Sequence, residues 1–361
     1  MADSRPLIGL MLGDVTGIGP EISVKLLQQP RTHELARIVI VGDRRVLDLG
    51  MRDAGQTVQV KLVERIADID WSDTGAVPMI DLGDTDPTAF QRGALSADAG
   101  RLAGQALQWM TDRALAGELD GICFAPLNKA ALHRGGFKYN DEHELFAHWN
   151  QHQGYYGEVN VIPQFCTFRV TSHVALRQAV DLVGPERITG AVTLAHSTLR
   201  AFGIAQPRIG VAALNPHGGE NGLFGDEEIR VIRPTLETLA AQGLPTTGPL
   251  PSDTVFLKAV KGDFDAVVIM YHDQGQIATK LLGFFEGVTI TGGLAATYCT
   301  PAHGVAYDIV GQGKAEVGAI AKALQYCAQI AVHKKQARQA RPPQAAAAQT
   351  QAPAAAAGVA A

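Results

Sequence analysis

A chain of 361 residues, 46% hydrophobic and 19% charged, is long and apolar enough to bury one large core or two linked ones. A formal net charge of −5 with no long basic block argues against a nucleic-acid surface or a polybasic membrane contact and leaves small molecules as the expected partners. Cys123, Cys166, Cys299 and Cys327 form no CxxC pair, the N-terminus carries no apolar signal core, and no window holds the roughly eighteen uninterrupted apolar residues of a membrane helix, so a cytoplasmic, soluble protein with reduced thiols is expected.

The chain opens on Leu7-Ile-Gly-Leu-Met-Leu12, a short buried-strand pattern that runs into Gly13-Asp-Val-Thr-Gly-Ile-Gly-Pro-Glu21 and a helix over 22–27. A glycine-rich turn between strand and helix turns backbone amides toward an anion. The spacing is neither GxGxxG nor a P-loop, so a ligand-facing loop and a purely structural turn both stay open. Ile38-Val-Ile-Val-Gly42 predicts a second strand, with a helix over 43–51 and a weaker, turn-rich stretch over 58–87. Helical periodicity over 94–116 directs Leu102, Leu107, Met110 and Leu115 to a core. Asp120-Gly-Ile-Cys-Phe-Ala-Pro126 is another strand, followed by Asn128 and Lys129 at an alanine-rich helix start. Tyr139-Asn-Asp-Glu-His-Glu-Leu-Phe146 reads either as a solvated helix start capped by Asp141 or Asn140, or as a substrate-facing loop.

Strands follow over 159–162 and 167–171, a helix over 185–202, a strand over 209–214 and an amphipathic helix over 227–241. In Ala266-Val-Val-Ile-Met-Tyr-His-Asp-Gln-Gly275 an apolar run stops at His272, the pattern of a buried parallel strand whose C-terminal end meets ligands. His173 follows Cys166-Thr-Phe-Arg-Val-Thr-Ser172, and His217 follows Ile209-Gly-Val-Ala-Ala-Leu-Asn-Pro216. Three such imidazoles suit a divalent ion such as Zn, Co, Ni or Mn with positions open for substrate oxygens, and hydrogen-bonded structural roles stay open beside that reading. Asp273 or Asp253 would orient a ligating ring. His33, His148, His152, His196 and His333 read as surface. A strand over 288–291 breaks at Gly292-Gly293, residues 300–313 gather glycines around His303 and Asp308, and 316–332 is the closing helix. Residues 336–361, rich in Ala, Gln and Pro, are expected to be a disordered tail. The alternation of strand and helix predicts an α/β fold with largely parallel sheets.

Five ordered blocks, Gly13-Asp-Val-Thr-Gly-Ile-Gly-Pro-Glu21, Thr171-Ser-His-Val-Ala-Leu-Arg177, Leu214-Asn-Pro-His-Gly-Gly-Glu220, Met270-Tyr-His-Asp-Gln-Gly275 and Ala302-His-Gly-Val-Ala-Tyr-Asp-Ile-Val-Gly311, together resemble the PdxA family of 4-hydroxythreonine-4-phosphate dehydrogenases, in register from about residue 6 to residue 330. The last block is also similar to the HG-x-A-x-D-I-A-G nucleotide stretch of isocitrate and isopropylmalate dehydrogenases. That similarity implies their two-lobed fold with the active site in the cleft: 1–128 plus 275–335 as nucleotide-binding lobe, 129–274 as metal and dimerisation lobe. The resemblance implies NAD- or NADP-dependent oxidation of a secondary alcohol β to a carboxylate, followed by decarboxylation. It also implies a homodimer whose divalent metal (Zn, Co, Mn or Mg) sits between subunits on His173, His217 and His272. Lys280 matches the family's substrate-binding lysine, and Asp253 is the expected proton carrier beside it. Asp14, Gly17, Gly19, His303, Gly304 and Asp308 fall in the blocks expected to hold the nucleotide.

Departures from the family cluster at the substrate end. An ungapped alignment from Lys129 puts Glu142-His143 where the family has a His-Thr pair touching substrate, Thr289 in place of an asparagine and Tyr298 in place of an arginine; a gapped alignment would put His143 on the family's histidine and leave the other two departures. A tyrosine cannot supply an arginine's bidentate bonds to phosphate, and a glutamate would repel one. Glu142, His143, Thr289 and Tyr298 are therefore expected to line a pocket for a non-phosphorylated hydroxy acid or a dihydrodiol carboxylate. Oxidation of 4-hydroxythreonine-4-phosphate itself is the alternative, and a non-catalytic, metal-dependent carboxylate-binding protein the distant third reading.

Overall fold

Aliphatic runs bounded by glycines and polar turns fold as strands, and in this computed structural model, which describes residues 4–283 and 286–340, one sheet collects all that are described. The strands are β1 (Leu7–Met11), β2 (Arg37–Gly42), β3 (Val60–Val63), β4 (Val77–Asp81), β5 (Gly121–Phe124), β6 (Gly157–Val161), β7 (Cys166–Arg169), β8 (Ile209–Ala212), β9 (Thr247–Leu250), β10 (Ala266–Ile269), β11 (Val288–Gly292) and β12 (Tyr298–Pro301). Their order is β3-β4-β2-β1-β5-β12-β11-β6-β7-β10-β8-β9. Pairing is parallel across both flanks, with Leu10 of β1 between Ile40 and Cys123, and antiparallel only where β11 meets β12 and β6 and where β6 meets β7. The largely parallel α/β class implied by the sequence is the class observed. Strands from 7–124 and 288–301 build one half of the sheet, those from 157–269 the other. β1, β5, β7, β8, β10, β11 and β12 are buried at every position, because helices cover both faces.

Several elements carry no clear sequence signal. β9 is Thr-Gly-Pro-Leu at the sheet edge, where a proline costs no ladder bond. The helix expected over 227–241 is a π-helical turn, Glu228–Ile232, continuing into Arg233–Ala241. Leu115 is exposed in the last turn of its helix. His196 is buried rather than on the surface, because it shares the sheet-facing side of Pro185–Ala201 with Val192, Ala195 and Leu199; its Nε2 lies 3.1 Å from the Pro245 carbonyl. The closing helix runs Gly318–Gln339 and so takes in the first residues assigned to the tail, while 341–361 lie outside the described residues. No helix among the described residues is long and apolar enough to cross a membrane.

Helix Ala97–Leu115 lies against the short helix Lys129–Arg134 through Gly100, where an added Cβ would sit 2.1 Å from the Ala131 backbone. Gly100→Ala is therefore expected to destabilise the protein by about 1–3 kcal/mol through overpacking. An unchanged urea midpoint would show that the two helices can part without cost.

Candidate functional site

β7 and β10 are parallel neighbours with Phe168 opposite Val268, so the residues that follow them emerge side by side. His173 and His272 lie with ring centroids 5.4 Å apart. His272 opens helix His272–Gly283, whose start is pinned by Gln274: its Oε1 accepts the Met270 N–H at 2.7 Å, and its Nε2 donates to the Ala213 carbonyl and to Ser252 Oγ at 2.7 and 2.9 Å. His173 Nδ1 is 2.6 Å from Asp141 Oδ2, while Asp141 Oδ1 accepts the Glu144 N–H at 2.9 Å and caps helix Glu142–Trp149. The acidic 139–146 segment is thus both a helix start and part of the site. His272 Nδ1 is 2.6 Å from Asp273 Oδ1. With each Nδ1 held by a carboxylate, each Nε2 is the nitrogen left for a metal ion, the usual arrangement of a ligating imidazole.

The electrostatics agree with that role. Burial, together with the charges of Arg169 and His173, pushes the His272 imidazole below its ordinary value despite Asp273. Burial opposes ionisation of Asp141, but the His173 bond, the His143 charge and the Glu144 N–H outweigh it and hold the carboxyl down at about 2. His217 does not join the pair. It lies in the turn Pro216–Gly219 at φ 52°, with its ring centroid 6.3 Å from that of Phe224, in a loop fastened by Glu228, whose Oε1 accepts the Leu214 and Asn215 N–H groups at 2.8 Å each. Among the described residues of one chain, no three His, Cys, Asp or Glu side chains gather so as to hold a metal.

The two histidines open on a cleft of about 290 Å³. One wall is a single face of helix His272–Gly283, since His272, Gln276, Thr279, Lys280 and Gly283 follow helical spacing. The opposite face of that helix leaves Ile277 and Leu281 at 62% and 83% exposure. Other walls come from β6, from Val288 and Thr289 of β11, from Lys129, and from 302–304. A larger hollow of about 820 Å³, bordered by His143, Tyr155 and Arg187, lies on the other side of Glu158 and His173.

A buried polar network forms the cleft floor. Arg169 Nη1 donates to Glu158 Oε2 at 2.8 Å and Nη2 to Asn160 Oδ1; Asn160 Nδ2 reaches Glu158 Oε1 at 2.9 Å and Thr289 Oγ1 at 3.3 Å; Gln276 Nε2 donates to Asn160 Oδ1 at 3.0 Å. His143 is buried with Nδ1 2.7 Å from Thr291 Oγ1 and Nε2 3.5 Å from Glu158 Oε2. Burial works against the Glu158 carboxylate, yet His143 and the Arg169 charge hold it well below the ordinary range. Burial likewise works against a charged His143, and Glu158 reverses the balance and raises it. The sequence signal for this network was a lone arginine inside the apolar strand 166–170, which burial obliges to find a carboxylate.

Of the residues expected at the substrate end, Thr289 and Lys280 line the cleft and His143 borders the larger hollow. Glu142 borders neither, because its Oε2 is 3.0 Å from Lys129 Nζ. Tyr298 is a core residue, 1% exposed and stacked on Phe146 with centroids 4.1 Å apart; its hydroxyl donates to Thr111 Oγ1 at 3.0 Å and accepts from Asn150 Nδ2 at 2.8 Å. It lines neither the cleft nor the larger hollow in this chain. Tyr298→Phe is expected to cost about 1–3 kcal/mol by leaving two buried partners short of a bond, with the ranking of substrates unchanged. A changed ranking would return Tyr298 to the pocket.

Asp253 is exposed in the first turn of helix Ser252–Val260 and does not line the cleft. Asp14 is buried, its Oδ1 accepting from the Thr16 N–H and hydroxyl at 2.9 and 2.7 Å, and burial pushes its carboxyl up. The 13–21 turn packs directly on the 302–308 segment: the Ile18 N–H donates to the Val305 carbonyl at 3.1 Å, and a Cβ on Gly17 would fall 2.7 Å from Val305 Cβ. Gly19 meets the Leu12 carbonyl, which a Cβ would approach to 2.4 Å. His303 and Gly304 line the cleft, and Asp308 sits in the adjoining turn Tyr307–Ile309, where its carbonyl accepts from Gln312.

The chain is similar to known proteins along most of its length. The family model for the pyridoxal phosphate biosynthetic protein PdxA matches residues 34–327. D-threonate 4-phosphate dehydrogenase of Pectobacterium atrosepticum is 40% identical over 329 residues, covering 90% of this chain and 99% of that protein. The crystal structure of 4-hydroxythreonine-4-phosphate dehydrogenase from Klebsiella pneumoniae superposes with a TM-score of 0.78 at 37% identity, covering 92% of this chain and 99% of that one. A terephthalate 1,2-cis-dihydrodiol dehydrogenase from Burkholderia xenovorans is similar at lower levels, with a TM-score of 0.64 and 26% identity over 90% of this chain and 98% of that one.

Proposed function

This chain belongs to the PdxA family, and from that premise we propose that it is a metal-dependent dehydrogenase oxidising the secondary alcohol of a phosphorylated hydroxy acid of the type of D-threonate 4-phosphate or 4-hydroxythreonine-4-phosphate. The observation that carries the reading is the pair of carboxylate-held imidazoles, His173 and His272, opening on a cleft that two lysines, Lys129 and Lys280, also line. The expectation of a non-phosphorylated substrate gives way. Of its premises, Tyr298 lies in the core and the Glu142 charge is met by Lys129. The relatives named for phosphorylated acids are 40% and 37% identical, against 26% for the dihydrodiol enzyme.

The donor set, imidazole nitrogens throughout, fits Zn or Co better than the oxygen-preferring Mn or Mg, with His217 supplied by a second copy in a homodimer. Exposed apolar side chains follow each histidine, Val174 and Leu176 after His173, Leu223 and Phe224 after His217, Ile277 and Leu281 after His272, and support burial of all three loops in a shared interface. A bound divalent ion lowers the pKa of a coordinated alcohol and stabilises negative charge on oxygen. Asp141 and Asp273 fix the two rings, and Lys280 takes an anionic end of the substrate. A bound NAD or NADP would accept the hydride while the hydroxyl proton is lost to solvent, and the ketone so formed, β to the carboxylate, would lose that carboxylate as carbon dioxide. Asp253 was the expected carrier of the proton returned to carbon, but it is exposed and does not line the cleft, so that role is not assigned to it. The half of the sheet carrying 13–21 and 302–308 is assigned the nucleotide, with Asp14, Gly17, Gly19, His303, Gly304 and Asp308 around it.

Absorbance of reduced nicotinamide tests the reading. D-threonate 4-phosphate or 4-hydroxythreonine-4-phosphate should reduce NAD or NADP in a reaction abolished by chelation, with higher kcat/KM than D-threonate or a dihydrodiol carboxylate. A higher value for every non-phosphorylated acid would remove the phosphate from the proposal, and activity indifferent to chelation would remove the metal.

A further inference from the structure

We infer that Lys129, which lies outside the five motif blocks and matches no ligand position named above, is a second substrate-binding cation of the cleft, and that Glu142 is the residue that positions it; the inference rests on the reading of this cleft as the site of a phosphorylated hydroxy acid. Lys129 is the first residue of helix Lys129–Arg134, whose cap is Asn128, with Oδ1 2.9 Å from the Ala131 N–H. The same Asn128 donates from Nδ2 to the Tyr307 hydroxyl at 3.1 Å, so the turn that carries Lys129 is tied to the 302–308 segment. The close approach at Gly100 holds the helix from the other side. The backbone of Lys129 is thereby fixed at the cleft.

The side chains of the pair are buried unequally. The Glu142 side chain is 11% exposed and borders neither the cleft nor the larger hollow, whereas that of Lys129 is 57% exposed and lines the cleft. Lys129 Nζ and Glu142 Oε2 form an ion pair at 3.0 Å, and an ammonium has three donors, so donors remain for a substrate oxygen. The pair is neutral in sum, but its positive end faces the substrate. The other carboxylates near this wall are already committed, Glu158 to Arg169 and Asp141 to His173. Charge complementarity follows from the substrate class. A phosphorylated hydroxy acid carries an anion on each side of the alcohol, and Lys280 alone would leave one of them to shed water without a partner.

Calorimetric binding of D-threonate 4-phosphate and of D-threonate to the zinc-loaded protein, without nucleotide, tests this in the parent and in K129M, K129R and E142Q. K129M should bind the phosphorylated acid at least about tenfold more weakly, K129R within about threefold of the parent, and E142Q at an intermediate affinity, as expected for one charge-assisted contact and its tether. In steady state, K129M should raise KM more than it lowers kcat. A loss confined to the phosphorylated acid puts Lys129 on the phosphate, and an equal loss for both acids puts it on the carboxylate; either supports the inference. Parent-like binding by K129M, while the parent still prefers the phosphorylated acid, overturns the inference and leaves the proposed function standing. A parent protein that binds neither acid overturns both. Tighter binding by E142Q overturns the positioning role of Glu142.

Discussion

Replacing His173, His217 or His272 with alanine should each lower kcat/KM by about a thousandfold or more, the equivalent of the several kcal/mol that a Lewis acid contributes to a developing alkoxide. The fold should survive, because His173 and His272 are partly exposed and each bonds only a neighbouring carboxylate. The more telling experiment mixes two inactive chains. In one chain His173 and His272 are together while His217 lies apart beside Phe224. If a shared site draws His217 from the second copy, a hybrid of H173A with H217A contains one site built entirely from intact side chains. An equal mixture, refolded or exchanged to equilibrium, should then recover about a quarter of the parent activity, since half the dimers are hybrids and each hybrid has one intact site of two. H173A mixed with H272A should recover nothing, because both lesions fall in the same half-site. Recovery in neither mixture would place the three histidines in a single chain and require the 215–225 loop to move.

How far the sequence reached depends on what kind of signal each feature leaves. Strands buried on both faces, such as Ala266–Ile269, announce themselves as unbroken apolar runs, and the residues just past them, His173 and His272, do converge. Edge strands and short helices leave weaker marks, so β9 and the helices Leu176–Leu182 and Ser252–Val260 emerge only in three dimensions. Correspondence of aligned positions was a poor guide to side-chain direction. Tyr298 was expected at the substrate end, yet its ring stacks on Phe146 and its hydroxyl satisfies Thr111 and Asn150. Glu142 read as a repulsive charge because its partner Lys129 is thirteen residues away, and no periodicity links them; two helix starts brought together by the fold do. Whether a charge is free or paired is a property of the tertiary structure, and the substrate reading turned on it.

The floor of the cleft makes the strongest stability prediction. Arg169, 6% exposed, holds the Glu158 carboxylate, 11% exposed, and also Asn160, which in turn bonds Thr289 and Gln276. Arg169→Met keeps the volume but leaves the Glu158 carboxylate with only His143 and the Asn160 amide beside it, and breaking a largely buried pair from one side costs about 3–5 kcal/mol. The pH dependence identifies the cause. Glu158 is held below its ordinary value of 4.5, so its share of stability is present above pH 4.5 and is lost as pH falls through the lower folded value. His143 is raised above 6.5, so its share is present below pH 6.5 and is lost as pH rises through the folded value. In the parent the two contributions overlap between pH 4.5 and 6.5. Without the Arg169 charge, Glu158 protonates at a higher pH, so the acid limb of the stability profile should move upward in R169M. Urea midpoints of parent and variant at pH 4, 5.5, 7 and 8 measure both effects. A loss of less than about 1 kcal/mol at pH 7 with an unmoved acid limb would mean that Glu158 is solvated in the absence of its partner, and that the cleft floor is open to water rather than a sealed polar layer.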